Sequence, residues 1–145
     1  GMRQHEAHDA LIRFISNAIC KTLFDLPVTL RRNRRFDYID VADLAPVVAH
    51  FLEQPGAHRA YNVTPDVTVE LLDLARLVVR ISGKDLPVVV AEEGYGPEYS
   101  GDNARLHEEM PGFDFAPIEA SVRRLYDWYA ANVERVDRSR LLVDK

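Results

Sequence analysis

A chain of 145 residues with 47% apolar and 28% charged side chains is sized for one domain with a real core, since roughly 68–70% of the unfolded surface is buried at about this length. The 23 acidic and 18 basic residues leave a formal charge of -5, which excludes a general electrostatic footprint for nucleic acid or an anionic membrane. No run approaches the roughly 18 consecutive apolar residues of a membrane helix, and the polar start Gly1-Met2-Arg3-Gln4-His5 has no apolar signal region, so a cytoplasmic location is expected. Gly1 ahead of Met2 reads as a cloning remnant. The single cysteine, Cys20, cannot form an internal disulfide and sits in an apolar helical pattern, where a buried packing residue is expected rather than a reactive thiol.

Taken in chain order, Asp9 is an N-cap candidate, and Leu11, Ile15, Ala18, Ile19 and Leu23 recur at helical spacing before Pro27, which predicts a helix over 9–24. Val28-Thr29-Leu30 is β-prone. After the basic cluster Arg31, Arg32, Arg34 and Arg35, residues 36–41 alternate with period two, so two strands joined by a basic turn are expected. Asp43 can cap a helix with an apolar face of Leu44, Val47, Val48, Phe51 and Leu52, with Pro46 tolerated in its first turn and Pro55-Gly56 ending it. Residues 60–64 read as a strand. Thr68 can cap a helix that runs to Ser82 and stops at Gly83. Its apolar residues cover more than one face, which predicts deep packing or a partner. Residues 87–91 form an apolar strand, and 93–101 a Gly/Tyr/Pro-rich loop of the kind that lines sites. Asp102 can cap a short helix through Met110, and a last helix begins near Pro117 with Ile118, Val122, Leu125, Tyr129 and Val133 on one stripe. The tail from Glu134 either extends that helix or docks separately. Alternating strands and helices make the class α/β.

Five segments stand in a characteristic order: RFISNAICKTL, RRFDYIDVADLAPVVAHFLE, AYNVTPDVTVELLDLARLV, YSGDNARLHEEMPGF and SVRRLYDWYAANV. Together they resemble the carboxy-terminal portion of the extended short-chain dehydrogenase/reductase family, the NAD-dependent sugar epimerases and dehydratases. The resemblance runs from about Asp9 to Val133. It implies a single domain over 1–145, the substrate-side portion of an extended Rossmann-type enzyme with a small mixed α/β lobe. The amino-terminal dinucleotide-binding half is absent from these residues. In that family the missing half carries the Gly-rich cofactor turn and the Ser/Thr, Tyr and Lys of the chemistry. No Gly-x-x-Gly-x-x-Gly follows a strand here, and neither Tyr95, Tyr99, Tyr126 nor Tyr129 has a lysine four positions on. A lysine beside the tyrosine is what lowers its pKa for proton transfer, so the chain is not expected to be catalytic alone.

The resemblance implies NAD or NADP as cofactor of the full enzyme, with neither expected to bind this chain by itself, and a sugar-like small molecule as substrate. Many relatives hold a phosphate with an arginine just before the Asp-aromatic-Ile/Val segment. Phe36 occupies that position, and Arg35 falls on the opposite strand face. A second family arginine, ahead of the Gly-Asp element, is likewise missing before Gly101-Asp102. Two such anchors are worth about 1.5–3 kcal/mol per charged hydrogen bond, so a typical nucleotide diphosphate sugar is not expected as substrate. Candidate substrate contacts are Arg34, Arg35, Phe36, Tyr95, Tyr99, Asp102 and Asn103.

Plainer readings compete at several positions. The arginine cluster is either an anion site or a solvated hairpin tip. Asp37, Asp40 and Asp43 suit structural roles better than a metal, because strand alternation separates Asp37 from Asp40 and Asp43 is better used as a cap. His5 and His8 have metal-compatible spacing near a terminus, with no obvious further ligands. Tyr126, Trp128 and Tyr129 suit a core face with one exposed ring. A sheet cut between strands exposes an edge and the helix faces that covered it, so self-association is expected, with the helix over 68–82 as one surface. The rival function is a free-standing ligand-binding or dimerisation module derived from the same fold.

Overall fold

The computed structural model describes the backbone of residues 4–142 and the side chains of residues 14–141. Helix α1 runs Gln4–Leu23 and ends before Asp25, whose positive φ of 58° turns the chain into strand β1, Val28–Asn33. The helix starts ahead of Asp9, so Asp9 lies inside it and does not cap it. The side chains of His5 and His8 fall outside the described residues.

Strand β1 runs straight through Arg31 and Arg32 where a turn was expected. Both guanidiniums reach Glu92 on strand β4, Val88–Tyr95, at 2.9 and 2.6 Å. The two strands are parallel, with Val28 opposite Val88 and Arg32 opposite Glu92, so the cationic side chains find a cross-strand partner and the ladder continues. The expected hairpin is replaced by this long-range pair. Strand β2 is only Arg35–Phe36, and it pairs antiparallel with β3, Val69–Glu70. Phe36 also forms an isolated parallel bridge with Tyr99.

Helix α2, Val41–Glu53, is capped by Asp40, whose carboxylate accepts the Ala42 amide at 2.9 Å. Asp43, expected to be the cap, accepts the Ala116 amide at 3.0 Å and ties down the loop ahead of the last helix. Pro46 is therefore the sixth helical residue, beyond the first turn, and it removes the amide that would have bonded the Ala42 carbonyl. Residues 60–64 form no strand, because none of the described strands runs beside them. Side chains hold them instead. The Tyr61 hydroxyl donates to Glu109 at 2.9 Å, the Asn62 amide to the Asp102 carbonyl at 2.9 Å, and the Thr64 hydroxyl to the Gly101 carbonyl at 3.3 Å.

Helix α3 begins at Leu71 after β3, with Glu70 in the cap position and no side-chain cap, and ends at Ser82 before Gly83 in the left-handed region, φ 68°. Thr68 does not cap it, since its hydroxyl donates to Asp37 at 3.0 Å. The apolar residues of α3 are the centre of the core. Leu71, Leu74, Ala75, Leu77 and Val78 pack with Ile15, Ala18 and Ile19 of α1, Val28 and Leu30 of β1, Phe36, and Val122 of α5, Ile118–Ala131. The broad apolar face is thus used within the chain and is not the exposed surface that was expected for self-association. Cys20 is buried, and burial pushes its thiol pKa up, as befits a packing residue. Tyr126 and Tyr129 pack on the core while Trp128 stays exposed.

Helix α4 is Ala104–Glu109; Asn103 takes the cap position, and the Asp102 carboxylate accepts the Ala104 amide at 2.9 Å. The tail leaves α5 through two short 3-10 turns, Val133–Arg135 and Arg138–Leu142, and docks through buried Leu141. No helix of the described residues is long and apolar enough to cross a membrane.

Helix α2 stands apart. Val41 and Leu52 are more than 80% exposed (81% and 82%), and Leu44 and Val48 lie between them on the same stripe. Only Val47 of α2 is buried. Among the described residues, the helical apolar stripe left bare is that of α2.

Candidate functional site

The place where β1, β2, β3 and β4 meet is organised around one carboxylate. Glu70 ends β3, and antiparallel pairing sets it opposite Arg35. Its Oε1 accepts from Arg35 Nε at 3.2 Å and from the Tyr95 hydroxyl at 3.1 Å, and its Oε2 accepts from the Asn33 amide at 3.1 Å. Asn33 is buried, and its carbonyl oxygen accepts the Leu72 amide at 3.0 Å, which fixes which way the amide points. The guanidinium of Arg35 sits 5.4 Å from the centre of the Tyr95 ring, a cation–π arrangement. The Asn33 amide, helped by Tyr95 and Arg35 and opposed by desolvation, holds the Glu70 carboxyl below the usual carboxylate range. Beside this network lies an open cavity of about 200 Å³ lined by Arg35, Tyr95, Gly96 and Glu98. Glu98 accepts the Ser100 hydroxyl at 3.0 Å.

The candidate residues divide between two places. Arg34, half-buried, lays its guanidinium against Gly96, where an added Cβ would sit 3.5 Å from Nε. Arg35 and Tyr95 line the cavity, with their polar atoms on Glu70. Phe36 has no exposed surface and packs on Tyr38 with ring centres 5.6 Å apart. It serves the core, and the expectation of a ligand contact at this position is corrected: alternation turns it inward where Arg35 turns outward. Tyr99 is bound through its backbone, its amide to the Arg35 carbonyl at 3.0 Å and its carbonyl to the Asp37 amide at 2.9 Å, with its ring against the core. Asp37 then accepts the Gly101 amide at 2.7 Å, which straps the loop onto β2. Asp102 belongs to a second cleft of about 280 Å³, shared with Ala60, Asn62, Ala104 and Arg105. Beside it the Asn103 amide bonds the Thr64 carbonyl and Asp66 at 2.8 and 2.7 Å.

Asn33, Glu70 and Glu98 were not among the residues expected from sequence. Glu70 reads there as the first turn of a helix, and only its pairing opposite Arg35 reveals its role. Within the arginine cluster Arg31 and Arg32 share Glu92 and Arg35 meets Glu70, while the Arg34 guanidinium lies against Gly96.

No family model matches the chain, and no curated protein matches it. Solved structures do. UDP-glucuronic acid 4-epimerase from Bacillus cereus, in complex with NAD, superposes with a TM-score of 0.69 at 16% identity, over 83% of this chain and 40% of that one. WbmF from Bordetella bronchiseptica, in complex with NADH, gives 0.69 at 22% identity, over 83% and 37%. dTDP-glucose 4,6-dehydratase from Bacillus anthracis, in complex with NAD, gives 0.71 at 16% identity, over 88% and 42%. The fold is that of the extended short-chain dehydrogenase/reductase epimerases and dehydratases. The chain spans about two fifths of the length of these short-chain dehydrogenase/reductase structures, 37% to 42%.

The described residues do not fit a dinucleotide. Such a site in this fold needs a Gly-rich turn that leads a strand directly into a helix, so that backbone amides meet the pyrophosphate. The nearest pattern, Gly94-Tyr95-Gly96, ends β4 but opens a loop, and the next helix begins only at Ala104.

Proposed function

We propose that this chain is the substrate-side portion of an NAD(P)-dependent epimerase, dehydratase or reductase acting on a sugar-like molecule, with the dinucleotide-binding half lying outside these residues. The fold supports this reading, and the observation that carries it is the bare face of α2. A helix whose side chains at Val41, Leu44, Val48 and Leu52 are all exposed has a surface that water does not favour. Residues 60–64, of strand-like composition and without a strand partner, point the same way. A helix with an apolar stripe and a strand-prone segment without a ladder are what remains at the margin of an α/β sheet whose other strands are elsewhere. The cofactor would sit on that other half, and hydride and proton transfer would occur there. This chain would supply the cavity at Arg35, Tyr95 and Glu98 as the wall that meets the substrate.

The coding sequence directly upstream of Met2 tests the proposal. A Gly-rich strand-to-helix turn and a Tyr-x-x-x-Lys in the same reading frame are expected, and the longer protein should bind NADH or NADPH with quenched or enhanced nicotinamide fluorescence. An in-frame stop before Met2, with an intact product near 16.5 kDa in cells, would overturn it in favour of a free-standing ligand-binding or dimerisation module. The bare α2 face also predicts that the chain alone self-associates.

A further inference from the structure

Asn33, Arg35 and Tyr95 come from three different strands, and all three direct a hydrogen-bond donor at one point. A guanidinium, an oriented buried amide and a phenol hydroxyl converging in this way are the parts of an anion cradle. The point is occupied by the chain's own Glu70. We propose that Glu70 is a built-in anion that fills this cradle, so that the adjoining cavity selects an uncharged, hydroxyl-bearing ligand and rejects its phosphorylated counterpart. The inference rests on the substrate-wall reading for what the cavity is for, and it narrows the class of ligand.

The charges around the cavity support it. The Arg35 cation is balanced by Glu70 at 3.2 Å, and Glu98 contributes a further carboxylate to the lining. Arg31 and Arg32 are drawn to Glu92. An incoming phosphate would meet Glu98 in the lining and, to reach the three donors, would have to displace Glu70 from them. Like charges in one site are costly unless one is neutralised. A neutral ring meets a different surface. The exposed Tyr95 ring offers an apolar face, and the Glu98 carboxylate accepts hydroxyl donors. The lining thus offers an aromatic ring and a carboxylate.

Glucose and glucose 1-phosphate differ by the phosphate alone and serve as the probe pair. Each is titrated into the chain while the amide resonance of Gly96 is followed by NMR. In the unaltered protein glucose should shift the Gly96 amide, and glucose 1-phosphate should do so about ten-fold more weakly. In Glu70→Gln, where the cradle keeps its donors and loses its anion, glucose 1-phosphate should gain about ten-fold over glucose. Glucose 1-phosphate binding the unaltered protein as tightly as glucose or tighter, no gain in Glu70→Gln, or no response to glucose at any concentration would each overturn the proposal. Should Glu70→Gln not fold, Tyr95→Leu at an exposed position must abolish the response to glucose, and its persistence would overturn the proposal equally. These titrations use the chain alone, so their failure leaves the upstream-sequence test of the enzyme reading unaffected, and the converse also holds.

Discussion

Helices α2 and α3 have similar lengths and both carry apolar stripes, yet they live in opposite environments. Leu74, Ala75 and Val78 of α3 are sealed between α1, β1 and α5, whereas Leu44, Val48 and Leu52 of α2 face water. The apolar face of α3 is satisfied by this chain, and that of α2 is left exposed. The difference teaches that a stripe read from sequence identifies an interface without saying who fills it. In the sequence α2 has one apolar face and α3 more than one, which for α3 left deep packing or a partner open, and the structure packs it deeply. Only the packing of α3 under β1 and α1 decides between them.

The contrast can be broken first at the core. Phe36→Ala, at a position with no exposed surface, should cost about 3–5 kcal/mol in urea unfolding. Leu52→Ala on the bare stripe should stay within about 0.5 kcal/mol; a comparable loss at both would mean that α2 is packed after all. The next effect in size is expected at the cap that fixes where α2 begins. Asp40→Ala should cost about 1 kcal/mol by the same measurement, and Asp43→Ala should leave the helix start unchanged in amide hydrogen exchange.

A smaller effect concerns the clasp that holds α2 to α4. His50 lies 3.2 Å from Glu109, and the Tyr61 hydroxyl bonds the same carboxylate. The His50 bond first, then Tyr61 and the Ala57 amide, hold the Glu109 carboxyl below its usual range, and Glu70, Glu92 and Asp66 are lowered too. A carboxyl with a folded-state pKa below its unfolded value binds protons more readily when unfolded. Its stabilisation is therefore complete above the unfolded value, about 4.3 for Glu, and is lost as pH falls through the lower folded value. Thermal midpoints should fall across that acid window, and Glu109→Gln should make the fall shallower. An unchanged acid limb in the variant would remove the clasp from the account.

Much of the fold was legible in the sequence where the signal is local. The last helix, the stop of α3 at Gly83 and the burial of Cys20 followed from periodicity, a left-handed glycine and composition. What was missed depends on distant partners. β1 continues through Arg31 and Arg32 because Glu92, sixty residues on, pairs with both. Residues 60–64 are no strand because no ladder is there to receive them. At the candidate site Arg35 and Tyr95 were readable from the family-like loop and arginine cluster, while Glu70 and Asn33 were not, since only strand pairing brings them together. Phe36 misled because the position, not the residue, suggested a contact.

The most direct measurement is sedimentation of the isolated chain over a wide concentration range, beside Val48→Glu/Leu52→Glu. The account predicts a mass that rises above the monomer's 16.5 kDa with concentration, and a double variant that stays monomeric with unchanged unfolding. An unaltered chain that remains a single 16.5 kDa species at high concentration would contradict the claim that α2 is an interface awaiting its cover.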